Sequence, residues 1–177
     1  LDEADVIVAH NGDEFDVKKT NARFIFHKLN APSLYKTIDT KKIAKRYFNF
    51  NSNSLNDLGN YLNIGQKLHH SGFSLWKGCM EGDKNAFNKM IEYNKQDVIL
   101  LEKLYKKFLP WIQNHPNYGI YRNKEFVCPN CGGNHLQCRG FNYTKTQKYQ
   151  RVQCQSCWSW SQFVKCEKDV VKPLLKN

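Results

Sequence analysis

Two cysteine pairs constrain this chain more tightly than any other feature. Cys128-Pro-Asn-Cys131 and Cys154-Gln-Ser-Cys157 are separated by 22 residues. A Cys-x-x-Cys turn aims two thiolates at one point, and two such turns at this separation can close on a single tetrahedral ion. The spacing therefore predicts a structural Zn²⁺ held by all four thiolates. With every position filled by protein sulfur, no site remains for a catalytic water, and the ion's work is to hold a small β module together. Cys79, Cys138 and Cys166 have no partner at such spacing and read as ordinary thiols. The set suits a reducing cytoplasm better than an oxidising compartment.

This zinc ribbon is expected over 124–164, with two or three short antiparallel strands, and the chain around it is basic. Residues 1–102 carry 14 Lys/Arg against 13 Asp/Glu, whereas residues 103–177 carry 13 against 3. Nearly all of the net charge of +11 thus lies in the second part. A basic surface attracts phosphate backbones through counterion release, whatever the base sequence. Aromatic residues interleave with the cations between Leu136 and Trp160, which favours strand binding over a merely solubilising face. Arg139, Tyr143, Lys145, Lys148, Tyr149, Arg151 and Trp158 are the candidate nucleic-acid contacts, with Phe141 and Trp160 beside them. Some of these rings would instead fill the core of so small a module.

The first part carries a different signal. The apolar run Val6-Ile7-Val8-Ala9 reads as a short buried strand, and His10-Asn11-Gly12 ends it. A helix follows to about Leu29, with Asp13 and Glu14 suited to its first turn and Phe15, Ala22, Phe26 and Leu29 as its apolar stripe. Tyr35–Asp39 reads as a second strand, with Thr40 capping a helix to about Phe48. Ser54 opens a short helix carrying Leu55, Leu58 and Leu62. Residues 65–82 are irregular, and Asp83 caps the longest helix, where Phe87, Met90, Ile91, Asn94, Val98, Leu101, Tyr105 and Phe108 recur at helical spacing. Pro110 closes it, and 113–123 reads as a linker. Alternating strands and helices imply an α/β sheet.

Tyr93 and Asp97, four apart, project from one face of that long helix, while Asp16 sits in the first turn of another. Acids on two elements beside a phenol suit a site where paired divalent ions assist phosphodiester hydrolysis. Asn11-Gly12-x-x-Phe15-Asp16 and Tyr93-x-x-x-Asp97 resemble the second and third motifs of the DnaQ-like 3′–5′ exonucleases, in the tyrosine-bearing (DEDDy) branch. The resemblance covers residues 1–112.

It implies an RNase H-like domain using Mg²⁺ or Mn²⁺, with Asp16 and Asp97 as metal ligands and Asp16, Tyr93 and Asp97 as catalytic residues. Tyr93 would hydrogen-bond the nucleophilic water, and Asn11 would contact the nucleic acid. The substrate would be the single-stranded 3′ end of DNA or RNA, in the cytoplasm of a bacterial or phage-infected cell. The family's first motif, Asp-x-Glu on an opening strand, is not in this sequence. The domain therefore reads as incomplete at its N-terminus, a fragment or one piece of a split protein whose missing strands a separate chain would supply.

Three function classes stay open. One is the exonuclease; another is a non-catalytic nucleic-acid-binding module on the same fold. The third is a transposase-type nuclease, which also joins an RNase H-like fold to a zinc ribbon, although here only Glu167 and Asp169 follow the cysteines. Asp39 and Asp57 read as caps or surface groups, and the adjacent His69 and His70 do not suit one shared ion. No stretch is long and apolar enough for a membrane span.

Overall fold

The computed structural model describes residues 1–68 and 72–163. His69, His70, the basic tail expected over 165–177, Cys166, Glu167 and Asp169 lie outside the described residues. The chain divides into two compact units. One holds Val8–Ala31 and Thr37–Lys107, and the other holds Leu1–Ile7, Pro32–Lys36 and the described residues from Phe108 on.

The α/β part begins with β1 (Val6–Ala9), α1 (Asp16–Phe26) and β2 (Lys36–Asp39), the two strands forming a two-stranded sheet. Helices α2 (Thr40–Tyr47), α3 (Leu55–Tyr61), α4 (Phe73–Met80) and α5 (Lys84–Phe108) follow. Ile38, Ile43, Ala44, Leu55, Leu58, Leu75, Ala86, Leu100 and Leu104 are its buried apolar side chains. Ser54 caps α3 by accepting from the Asp57 N–H, and Asp83 accepts from the Asn85 N–H at the start of α5, as the sequence predicts.

Several local readings are corrected. Asp39, not Thr40, caps α2, accepting from the N–H groups of Lys41 and Lys42. Asp13 and Glu14 precede α1 instead of lying in its first turn, and they pair with Lys42. The α1 stripe does not enter a core: α1 buries no side chain, and Phe15, Phe26 and Leu29 are exposed. Residues 73–80, read as irregular, form α4. Their start is marked by Gly72 and by no side-chain cap, so the usual sign of a helix N-terminus is missing.

The α5 stripe is shifted. Phe87, Ile91 and Val98 are exposed and Met90, Leu101 and Tyr105 half-buried; of the expected stripe Phe108 is buried, and Ala86, Leu100 and Leu104 are buried in phase with it, as Tyr93 and Asp97 are half-buried. Two polar residues occupy the inward face, and apolar periodicity alone therefore selects a neighbouring one.

From Phe108 on, a 3₁₀ turn (Leu109–Trp111) precedes α6 (Tyr118–Tyr121), a one-turn helix inside the segment read as a linker. Asn117 caps it through the Gly119 N–H, and the Tyr118 N–H donates to the Pro129 carbonyl at 2.7 Å. Strands β3 (Leu136–Tyr143), β4 (Lys148–Cys154) and β5 (Trp160–Phe163) form an antiparallel sheet in the order β3-β4-β5. The β3–β4 register slips between Cys138 and Phe141, where Gly140 takes φ +76°.

Candidate functional site

The acid site grows from the end of β1. Asn11 takes φ +69°, a left-handed conformation that asparagine tolerates, and turns the chain toward α1. Gly12 follows because a Cβ there would sit 2.3 Å from the Cβ of Ala9 and 3.7 Å from Oδ2 of Asp16. Asp16 therefore lies beside the strand end, exposed, in the first turn of α1.

The turn is held from outside by Asp39, which is 5% exposed. Its carboxylate accepts from the N–H groups of Asn11 at 2.9 Å and Asp13 at 3.3 Å while also capping α2. Charge-assisted bonds to several N–H groups fix both backbones to one side chain. Asp39, read as a cap or surface group, is a cap and also the buried pin of the motif.

His10 is fixed next to it. Nδ1 lies 2.9 Å from Oγ1 of Thr40, Nε2 lies 3.0 Å from the Asn53 carbonyl, and the Thr40 hydroxyl is within 3.0 Å of the Ala9 carbonyl. Burial lowers the His10 pKa, outweighing the Asn53 carbonyl and the Asp39 charge that would raise it. The Asn53 carbonyl can only accept, so Nε2 donates to it.

On α5, Tyr93 and Asp97 are joined by a residue that sequence reasoning missed. Lys67 Nζ donates to the Tyr93 phenol oxygen at 3.0 Å and to Oδ2 of Asp97 at 2.8 Å. Burial disfavours the Lys67 charge, but the hydrogen bonds to Asp97 and Tyr93 outweigh it and its pKa is raised. Oδ1 of Asp97 is buried and accepts no hydrogen bond among the described residues. A buried carboxylate oxygen without a donor is costly. Nothing in the sequence near Lys67 points at Asp97, 30 residues away.

The second site is the cysteine cluster. The four Sγ atoms all lie within 4.8 Å of one another. Cys128 and Cys157 are 3.6 Å apart, and Cys131 and Cys154 are 3.7 Å apart. A tetrahedron of sulfurs about 2.3 Å from one Zn²⁺ has edges of about 3.8 Å, so the spacing fits that ion. The Gly133 N–H donates to Cys131 Sγ and the Ser156 N–H to Cys154 Sγ, each at 3.4 Å. Burial pushes the Cys131 thiol up, and the thiols of Cys157, Cys128 and Cys154 push the same way. A cation is what would let these sulfurs ionise together.

The two turns share one backbone path with different residues. Gly132 takes φ +73° after the first pair, and Trp158 takes φ +66° after the second. A Cβ on Gly132 would collide with the Tyr118 ring at 2.2 Å, whereas Trp158 keeps its side chain 58% exposed. Ser159, 1% exposed, contacts Cys128 Sγ at 3.1 Å and Cys157 Sγ at 3.0 Å. Asn130 donates to the carbonyls of Leu109 and Ile112, anchoring the first turn. Neither Ser159 nor Asn130 figures in the sequence reading.

The candidate nucleic-acid contacts are exposed except Tyr149, which is half-buried, but they do not form one stripe. Pairings of Tyr143 with Lys148 and Phe141 with Gln150 put Tyr143, Phe141 and Lys148 on one sheet face, where Lys148 lies 3.8 Å from the Phe141 ring centre. Pairings of Asn142 with Tyr149, Arg151 with Gln162 and Gln153 with Trp160 put Tyr149 and Arg151 on the other, with Arg151 stacked 4.7 Å from Trp160. Arg139 sits at the bulge, Lys145 in the β3–β4 turn and Trp158 in the second cysteine turn.

Fold and sites together define a mixed α/β protein with a candidate metal module of four cysteines. A model of the RNase H superfamily matches residues 1–109, and the chain belongs to that superfamily, whose fold is a nuclease fold. No curated protein and no solved structure matched the chain. No helix among the described residues is long and apolar enough to cross a membrane.

Proposed function

We propose that this chain serves a metal-dependent 3′–5′ exonuclease of the DnaQ-like, tyrosine-bearing kind, acting on DNA or RNA, with a zinc ribbon that supplies affinity for the strand. The observation that carries the reading is the setting of Asp97: one oxygen accepts from Lys67, which also donates to Tyr93, and the other is buried without a donor among the described residues. Asp97 and Asp16 would hold the divalent ions, Mg²⁺ or Mn²⁺, and the Asp-x-Glu acids implied by the family resemblance would complete the ligand set. When bound, such ions stabilise charge on the attacking and leaving oxygens.

The chain's own residues do the positioning. Lys67 locks the Asp97 rotamer and places the Tyr93 phenol beside it, where the phenol orients water by a hydrogen bond. Asp39 holds the Asn11–Asp13 turn that leads into Asp16. Cys128, Cys131, Cys154 and Cys157 bind structural Zn²⁺. A second reading, a binding module without hydrolysis, is favoured by the charge lying almost wholly beyond residue 102.

One pair of assays separates them. A 5′-labelled single strand incubated with Mn²⁺ and a form of the chain carrying the Asp-x-Glu strand should shorten from its 3′ end. Asp97→Asn should nearly abolish this while circular dichroism and strand binding stay unchanged. Hydrolysis that survives Asp97→Asn refutes the site, and binding without any hydrolysis supports the module.

A further inference from the structure

The sheet face carrying Arg151 borders a cleft of about 680 Å³, lined by Arg151, Trp160, Asn142, Gln162, Gln113 and His115 among others. That volume falls within the range of small-molecule sites, which runs from about 300 to 1,000 Å³. All the lining residues belong to the unit that carries the cysteines. The strand register puts four of the six on a single face, so the cleft is a feature of the sheet and not of a loose loop.

From these observations we infer that the cleft is a pocket for one unstacked nucleobase of a single strand, a role not carried by the basic β3–β4 turn. This rests on the reading of the module as strand-binding and deepens it. Trp160 is 49% exposed and offers an indole face on which any base can stack. The Arg151 guanidinium stacked on that indole is pre-oriented, and its in-plane N–H groups suit the phosphate attached to a stacked base. Across the sheet, the Asn142 amide donates to Oε1 of Gln162 at 2.9 Å. Each amide has two N–H groups and one carbonyl, so the pair still presents both donors and an acceptor toward a base edge. The opposite sheet face has Lys148 over Phe141 and Tyr143 but no comparable amide pair, which suits it to backbone charge alone.

The recognised chemistry is that of an unpaired base with its phosphate, which DNA and RNA share. The test uses the full zinc-loaded chain and labelled ten-residue strands of thymidine or uridine, read by fluorescence anisotropy at several salt concentrations. Trp160→Ala should weaken binding about 5- to 150-fold without changing the salt slope, because it removes stacking and no charge. Trp160→Phe should stay near the parent. Arg151→Gln should flatten the slope by roughly 0.7, and duplex should bind more weakly than either strand.

A strand carrying 5-iodouracil should crosslink to the Trp160 peptide, a readout that a change in folding does not imitate. Asn142→Ala with Gln162→Ala should erode the differences among four homopolymers and leave zinc content at one equivalent. The ratio between thymidine and uridine strands identifies the natural source. A parent that binds, with Trp160→Ala equal to it and no crosslink at Trp160, overturns the pocket and leaves a strand-binding module. A parent that binds no strand overturns both, and binding of a protein in place of a strand does the same.

Discussion

In the unit that carries Asp97, cations meet carboxylates as well as rings: Lys67 pairs with Asp97 and lies 5.3 Å from the Tyr93 ring centre, and Lys42 pairs with Asp13 and Glu14. In the unit that carries the cysteines, no ion pair occurs among the described residues, and cations lie over rings: Lys148 over Phe141, and Arg151 over Trp160. The first arrangement leaves one buried carboxylate oxygen unmet and suits the binding of a cation. The second leaves the positive charge unneutralised, with flat apolar surface beside it, and suits a polyanion with bases. Rings accompany cations in both units, so the ion pairs are what set the first apart.

The largest effect should come from metal removal, which sharpens the contrast by unfolding one side only. Apparent binding free energies for structural Zn²⁺ are about 10–16 kcal/mol, so chelation or Cys154→Ser should melt the β3–β5 sheet. Amide exchange should show lost protection across that sheet while α3 and α5 keep theirs. An unchanged β3–β5 pattern after chelation would mean the cysteines hold no structural ion.

Next in size is Asp39→Ala, which removes a helix cap and the anchor of the Asn11–Asp13 turn together. Denaturant unfolding should register a loss of about 2–4 kcal/mol. A cost below about 0.5 kcal/mol would show that Asp39 does not hold the motif.

A smaller effect follows from the buried histidines. Burial lowers the pKa of both His10 and His115, so in the folded chain they resist protons that the unfolded chain accepts near pH 6.5. The unfolded state then binds more protons as pH falls below about 6.5, and stability should decline there by at most about 1.4 kcal/mol per pH unit for each histidine. His10→Gln should flatten the decline, as read by melts from pH 7.5 to 5. Stability that rises on acidification would contradict the neutral His10 assigned here.

What could be read in the sequence divides along physical lines. The cysteine pairs were legible because a short turn and its ligands are adjacent in the chain, and the Ser54 and Asp83 caps because capping is local. The inward face of α5 was misassigned, except at Phe108, because Tyr93 and Asp97 break the apolar stripe. Helix α4 and the one-turn α6 lack strong periodic patterns, being eight and four residues long. Lys67 and the pinning role of Asp39 are contacts across 26 to 30 residues, and no spacing rule encodes them.

The central claim is that Asp97, with Asp16, forms a divalent-cation site whose counter-charge in the metal-free chain is Lys67. Paramagnetic broadening by Mn²⁺ tests it most directly, because it reads proximity to the ion and does not depend on hydrolysis. Titrating the zinc-loaded chain should broaden the amides around Asp16, Tyr93 and Asp97 first, and Asp97→Asn should remove that broadening while the β3–β5 amides stay sharp in both. Equal broadening in the parent and Asp97→Asn, or broadening that begins elsewhere, would contradict the account.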